Sequence, residues 1–188
     1  MGRPATSSGQ WERHRPTHIG AVVLAAGAAT RFGAPKQRLL LPAVLERLTG
    51  VDQVVVVAGA HPLEGAVECP DWERGPGASL RCGLAALDAA VEAAVVVLAD
   101  GPELAPAAID RVVAAWRESR APLVAASYGG DRGHPLVLER SLWGDIPDEG
   151  LRVVEPLLVP CDDLGPPGDI DYRGDLPERF RGTPGEPM

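Results

Sequence analysis

Apolar residues gather in short uninterrupted runs, separated by stretches where they recur every three or four positions. The first run, residues 19–24, ends in Ala25-Ala26-Gly27 and predicts a buried strand feeding a glycine loop. Residues 53–57, 94–98 and 123–127 are further runs of strand length. The first of these stops at Ala58-Gly59 and the second at Asp100-Gly101-Pro102. Residues 39–48 are apolar on one helical face and close before Gly50, which suits a position just past a helix end. Residues 80–91 read as a second helix, with Leu80, Leu84, Leu87 and Val91 on one face. Residues 106–120 read as a third, with Pro106 in its first turn and Ile109, Val112, Val113 and Trp116 as its apolar stripe. After Gly133 the pattern weakens to short pieces around residues 136–138, 151–158 and Ile170.

Continuous apolar strands alternating with helices are what a sheet covered on both faces requires, so the fold class is α/β with a mostly parallel sheet. In such sheets ligands bind beyond the carboxyl ends of the strands. That directs attention to the loop of residues 27–36, after the first strand, and to Asp100, after the third.

Length and charge narrow the partners. A chain of 188 residues suits one domain with a sizeable core. A net charge of −8 argues against a general nucleic-acid surface, and no apolar run approaches a membrane span. Residues 1–18 are polar, hold Arg3, Arg13, Arg15, Pro4 and Pro16, and lack the apolar centre of a secretory signal. We expect a disordered extension there, a domain over residues 19–176, and a flexible tail over 177–188 that begins to fray from Gly174. Cys69, Cys82 and Cys161 are odd in number with no C-x-x-C pair. They read as free thiols in a reducing, cytoplasmic setting.

The chemistry concentrates in Leu24-Ala25-Ala26-Gly27-Ala28-Ala29-Thr30-Arg31-Phe32-Gly33-Ala34-Pro35-Lys36-Gln37. Small residues directly after a strand let backbone N–H groups approach a triphosphate closely. Arg31 and Lys36 supply positive charge where an α-phosphate would become pentacoordinate. The run is neither a P-loop, since Lys36 is followed by Gln37, nor a G-x-G-x-x-G loop. A flexible turn with two solvated cations is the plain alternative. Asp100 lies too far before the helix at Pro106 to cap it directly, and one carboxylate beside phosphate oxygens suits Mg²⁺. Ser79 can donate to a base or ribose, or simply cap a helix. Trp72 lies in a charged loop and reads as packing.

The run L-A-A-G…R-F-G…P-K-Q resembles the signature of the nucleotidyltransferase family that includes the molybdenum cofactor guanylyl- and cytidylyltransferases, the MobA-like NTP transferases. It is similar, more distantly, to sugar-1-phosphate and methylerythritol-phosphate nucleotidyltransferases. The resemblance spans residues 19 to about 176. It implies a three-layer α/β/α fold with a Rossmann-like nucleotide-binding half. It also implies Mg²⁺, a nucleoside triphosphate donor and a phosphorylated small-molecule acceptor. By resemblance, Leu24, Ala25, Ala26 and Gly27 bind the nucleotide together with Ser79 and Asp100, while Arg31 and Lys36 are catalytic. Val97-Leu98-Ala99-Asp100-Gly101-Pro102 resembles the family's L-A-D-M-P, whose Asp holds the metal, with Gly101 in place of Met. Asp169-Ile170-Asp171-Tyr172 resembles D-I-D-T-P, so Asp171 is the better match for a second ligand and Asp169 its rival.

Pro76-Gly77-Ala78-Ser79-Leu80-Arg81 resembles a segment that closes over the nucleotide. Gly133-His134-Pro135 and the loop ending in Arg152 resemble acceptor-side segments. His134 and Arg152 are the acceptor candidates, with a simple turn histidine as the alternative for the first. Residues 37–46 are shorter than in relatives and lack their Gly-Arg-Pro. The Ala25-Ala26-Gly27 start resembles the cytidylyl branch, which implies CTP and molybdopterin. A GTP-using enzyme acting on phospholactate or another small phosphorylated acid is the rival. A non-catalytic nucleotide-binding homologue is the reading from outside enzymes.

Overall fold

A computed structural model describes residues 18–181, so the expected extension, apart from His18, and residues 182–188 of the tail lie outside the described residues. Seven strands form one sheet in the order β3-β2-β1-β4-β6-β5-β7. They are β1 His18–Ala25, β2 Gln53–Ala58, β3 Val67–Glu68, β4 Val91–Leu98, β5 Leu123–Tyr128, β6 Asp131–Glu139 and β7 Leu157–Pro160. The β3-β2-β1-β4 half is parallel throughout, the Rossmann-like arrangement. β6 runs antiparallel to both β4 and β5, and β7 pairs parallel to β5.

Three helices cover the sheet: α1 Lys36–Leu45, α2 Pro76–Ala85 and α3 Pro106–Ser119. Residues alternate along β1 between two cores. Ile19, Ala21 and Val23 pack with Val44 of α1 and with Ile109, Val112 and Trp116 of α3. Val22, on the other face, packs with Leu80 and Leu84 of α2. Both faces of the central strands are therefore dry, which explains their unbroken Val and Ala runs. The result is the α/β fold that the apolar pattern predicts, in the α/β/α layering that the family resemblance implies. Among the described residues no helix is long and apolar enough to cross a membrane.

Two helices start earlier than their periodicity predicts. α1 opens at Lys36, directly after Pro35, and its last apolar turn at Leu48 continues only as i→i+3 turns. α2 spans residues 76–85 where 80–91 was expected. Val91 instead opens β4, after a turn in which the Asp88 carboxylate accepts from the Ala90 N–H at 2.8 Å. Leu80, Leu84, Leu87 and Val91 still share one core, so helical spacing alone could not separate the helix from the strand that follows.

Two further expectations are corrected. The segment from Gly174 to Phe180, expected to fray, is packed against the domain. Leu176 and Phe180 are buried with Phe32, Leu40 and Ile170 in a third core, which ties the C-terminal segment to α1 and to the loop before it. Burial of these well-spaced apolar side chains outweighs the loop-like composition around them. Nor are all three cysteines free: Cys69 and Cys82 form a disulfide with 5.9 Å between their Cα atoms. The chain doubles back between them through a short turn at Trp72–Arg74, which sequence spacing does not reveal. Cys161 is free and buried.

Candidate active site

The carboxyl ends of β1 and β4 border a cleft of about 490 Å³. Its floor is the strand-to-loop run Leu24, Ala25, Ala26 and Gly27. The loop is anchored from α1: the Gln37 amide nitrogen donates to the Gly27 carbonyl at 2.6 Å. Gln37 is buried, and its Oε1 has no hydrogen-bond partner. The sequence reading gave Gln37 no role beyond its place in the motif, because its tie to Gly27 crosses ten residues of loop.

One end of the cleft is charged. Lys36 is the first residue of α1 and is 7% exposed. Its ammonium lies 2.8 Å from Asp100 Oδ2 and 3.4 Å from Asp171 Oδ1, and it donates to the Ile170 carbonyl. Arg31 reaches the other oxygen of Asp171 at 3.0 Å. Four candidates from three separate segments thus converge. The convergence depends on the C-terminal segment, since the Ile170 N–H donates to the Asp100 carbonyl at 3.0 Å and Ile170 is buried beneath α1.

Gly101, in the place of the Met of the resembled motif, has a structural reason here. A Cβ at this position would meet Pro167 Cβ at 2.8 Å and Asp169 Oδ1 at 3.3 Å. The returning chain occupies that space and is pinned there by the Glu103 N–H on the Pro167 carbonyl at 2.8 Å. Asp169 is not part of the cleft wall, whereas Asp171 is. Loss of surrounding water, then the charges of Asp100 and Asp171, raise the Asp169 carboxyl above its ordinary range against the pull of Lys36.

The opposite wall is formed by Trp72, Gly75, Pro76 and Ser79. Ser79 is buried within α2 three residues past its first residue, so it is not the N-cap. Trp72 packs over Gly59, where a Cβ would come within 2.6 Å of the indole. Trp72 is therefore a cleft residue that the sequence reading treated as packing only. The wall is braced from outside. Asp148 accepts from Arg74 at 3.0 and 3.1 Å and pairs with Arg81, and its backbone carbonyl accepts from the Gly77 N–H at 2.9 Å. Gly77 has no room for a Cβ, which would collide with the Pro147 carbonyl. The two guanidinium groups hold the Asp148 carboxyl below its usual range, with Arg81 contributing most.

The acceptor-side candidates do not line the cleft. His134 lies half-buried on β6, preceding a cis peptide bond to Pro135, and its carbonyl accepts from the Tyr128 hydroxyl at 3.0 Å. Burial first, then the charge of Arg132, push its imidazole down to about 4, with Asp100 pulling the other way. Arg152 is exposed in a short turn whose carbonyls at Leu151 and Val154 accept from Arg132 at 2.9 and 3.1 Å. Among the described residues no group of three or more His, Cys, Asp and Glu side chains is arranged to hold a metal ion. Asp100 and Asp171 nevertheless offer two hard oxygen donors converging on one cation, the Lys36 ammonium. That fits a divalent ion which takes its remaining ligands from phosphate and water.

A glycine loop after β1, a lysine opening the next helix and an aspartate beyond β4 meet at the carboxyl edge of a β3-β2-β1-β4 sheet. A model of the MobA-like NTP transferase domain matches residues 21–152, and the chain belongs to that family. It is similar to the solved structure of Rv0371c from Mycobacterium tuberculosis H37Rv, with 29% identity, a TM-score of 0.67 and coverage of 85% of this chain and 95% of that one. A structure of Rv0371c in complex with manganese matches with 27% identity and a TM-score of 0.65, covering 85% and 96%. An Rv0371c homologue from Mycobacterium sp. strain JC1 matches with 25% identity and a TM-score of 0.66, covering 84% and 92%. No curated protein matches in sequence.

Proposed function

We propose that this chain transfers a nucleotide from a nucleoside triphosphate to a phosphorylated acceptor with release of pyrophosphate. The observation that carries the reading is the buried Lys36 ammonium held between Asp100 and Asp171 at the end of the glycine-loop cleft. A buried cation poised between carboxylates is ready to exchange partners for an incoming phosphate.

In this reading the α-phosphate lies against Gly27, Arg31 and Lys36. An oxygen of the acceptor phosphate, already anionic, attacks the α-phosphorus, so no general base is needed. The bond from that phosphorus to the bridging oxygen breaks and pyrophosphate departs. Lys36 and Arg31 offset the charge that grows on the phosphoryl oxygens, and the walls fix the line of attack. Asp100 and Asp171 would hold Mg²⁺ or a like ion, which supplies charge neutralisation across the phosphates. The manganese complex of the similar Mycobacterium tuberculosis protein supports a divalent metal here.

For the donor we infer CTP, because the methyl of Ala26, buried in the cleft floor, leaves less room for a purine than glycine would. Molybdopterin is the acceptor implied by the same resemblance. The test is pyrophosphate release with each of the four ribonucleoside triphosphates, Mg²⁺ and candidate acceptors. Release with CTP and a molybdopterin-type acceptor is expected. Preference for GTP with phospholactate would move the enzyme to the guanylyl reading. Nucleotide binding without pyrophosphate release from any acceptor would make it a non-catalytic homologue.

A further inference from the structure

We propose that the Cys69–Cys82 disulfide positions the nucleoside-side wall of the cleft, so that nucleotide affinity depends on the oxidation state of this pair. The proposal rests on the nucleotide-binding reading above. The bond closes a ring with a sequence separation of 13. Trp72, Gly75, Pro76 and Ser79, which form the wall opposite the charged end, all lie inside that ring. So do Arg74 and Arg81, the two arginines that grip Asp148.

The covalent closure acts at the start of the wall, where the Asp148 brace does not reach and the support from the sheet is short. Cys69 follows β3, a two-residue strand at the sheet edge, paired with β2 only at Val67 and Glu68. The Cys69 N–H adds one bond to the Ala58 carbonyl at 2.9 Å. From there to α2 the chain is a short turn and a glycine, with Trp72 resting on Gly59. The disulfide ties this edge to the middle of α2, which is packed on the central strands through Leu80 and Leu84. It restricts the alternative positions of the wall and so lowers the ordering cost of binding a nucleoside against it.

The pair is also chemically addressable. Cys69 is 2% exposed, but Cys82 is half-buried on α2. A thiolate of a dithiol reductant attacks the Cys82 sulfur. The S–S bond breaks, Cys69 departs as a thiolate and takes up a proton, and Cys82 carries a mixed disulfide. The second thiol of the reductant then displaces Cys82, leaving two protein thiols and one oxidised dithiol. Cys161 is fully buried directly after β7, at the far edge of the sheet, and takes no part in the exchange.

The experiment measures binding of CTP and GTP with Mg²⁺ by calorimetry, before and after reduction by a dithiol. Inorganic tripolyphosphate serves as the probe of the charged end alone, and titratable thiols are counted under denaturation in each state. The expected count rises from one to three. Reduction is expected to weaken the better nucleotide roughly tenfold while tripolyphosphate is unchanged. Cys82→Ser should bind at the reduced protein's affinity and no longer respond to the dithiol. The wild-type comparison stands alone if that variant does not fold. Equal nucleotide affinity in both states, equal weakening of tripolyphosphate, or three thiols before reduction would each overturn the proposal. Failure of both nucleotides to bind in either state would instead overturn the nucleotide reading on which it rests.

Discussion

The two ends of the cleft are built by different means. The charged end is held by ion pairs between side chains drawn from the β1–α1 loop, the end of β4 and the C-terminal segment. The opposite wall is held by a disulfide, by close backbone contact at Gly77, and by the grip of Arg74 and Arg81 on Asp148. Ion pairs can trade partners when a triphosphate and its metal arrive. A covalent ring and a backbone contact without room for a methyl cannot. Under the proposed function the contrast gives reaction chemistry to the first end and shape to the second, and it predicts that mutations at the two ends fail in different ways.

The largest effect belongs to Asp100. Asp100→Asn is expected to lower turnover by on the order of 10³-fold or more in a protein that circular dichroism shows to be folded, with a lower melting point because the buried Lys36 loses a carboxylate partner. Near-normal activity in the folded variant would remove Asp100 from the site. Lys36→Ala comes next. Its charge is most useful as the transition state forms, so kcat should fall roughly 10²-fold with a smaller change in nucleotide affinity. Steady-state kinetics decide this, and a loss confined to KM would make Lys36 a binding residue alone.

A change on the shaped wall should show the reverse pattern. Asp148→Ala releases Arg74 and Arg81 together, so KM for the nucleotide is expected to rise several-fold with kcat little changed. A large fall in kcat at unchanged KM would erase the distinction between the two ends.

These contrasts also explain what the sequence could disclose. The loop from Leu24 to Gln37 was legible because its small residues and cations lie in one contiguous run behind an obvious strand. Asp100 was legible for the same reason, being the polar residue that ends a buried run. Asp171 needed the family resemblance, since two carboxylates around one isoleucine are common in loops. What brings it to Lys36 is the third core, assembled from Phe32, Leu40, Ile170, Leu176 and Phe180, and no periodicity marks residues so dispersed. The second wall was the least legible. Cys69 meets Cys82 only through the turn at Trp72–Arg74, and Asp148 reaches Arg74 from 74 residues along the chain. Reading α2 from its leucines also placed its start four residues late and hid the role of Gly77 as a contact surface.

The smallest effect lies away from both ends, at His134. Its imidazole is held down to about 4 in the folded protein, against 6.5 when unfolded. Between those values the unfolded chain binds more protons, so this group contributes stability that is present above pH 6.5 and is lost as pH falls toward 4. His134→Gln should flatten that part of the pH dependence, as read from urea midpoints at neutral pH and near the lower value. An unchanged acid slope would show that the His134 imidazole does not set it.

The central claim is that the Lys36 and Asp100 end performs transfer at the α-phosphorus. It is tested most directly by following a triphosphate labelled at the α-phosphate in wild type and in Asp100→Asn, with an acceptor that supports pyrophosphate release. The account predicts that the label moves to the acceptor in wild type, in equal amount to pyrophosphate, and stays in the triphosphate in the variant. Release of inorganic phosphate with the label left in a nucleoside diphosphate, or equal transfer by the variant, would contradict it.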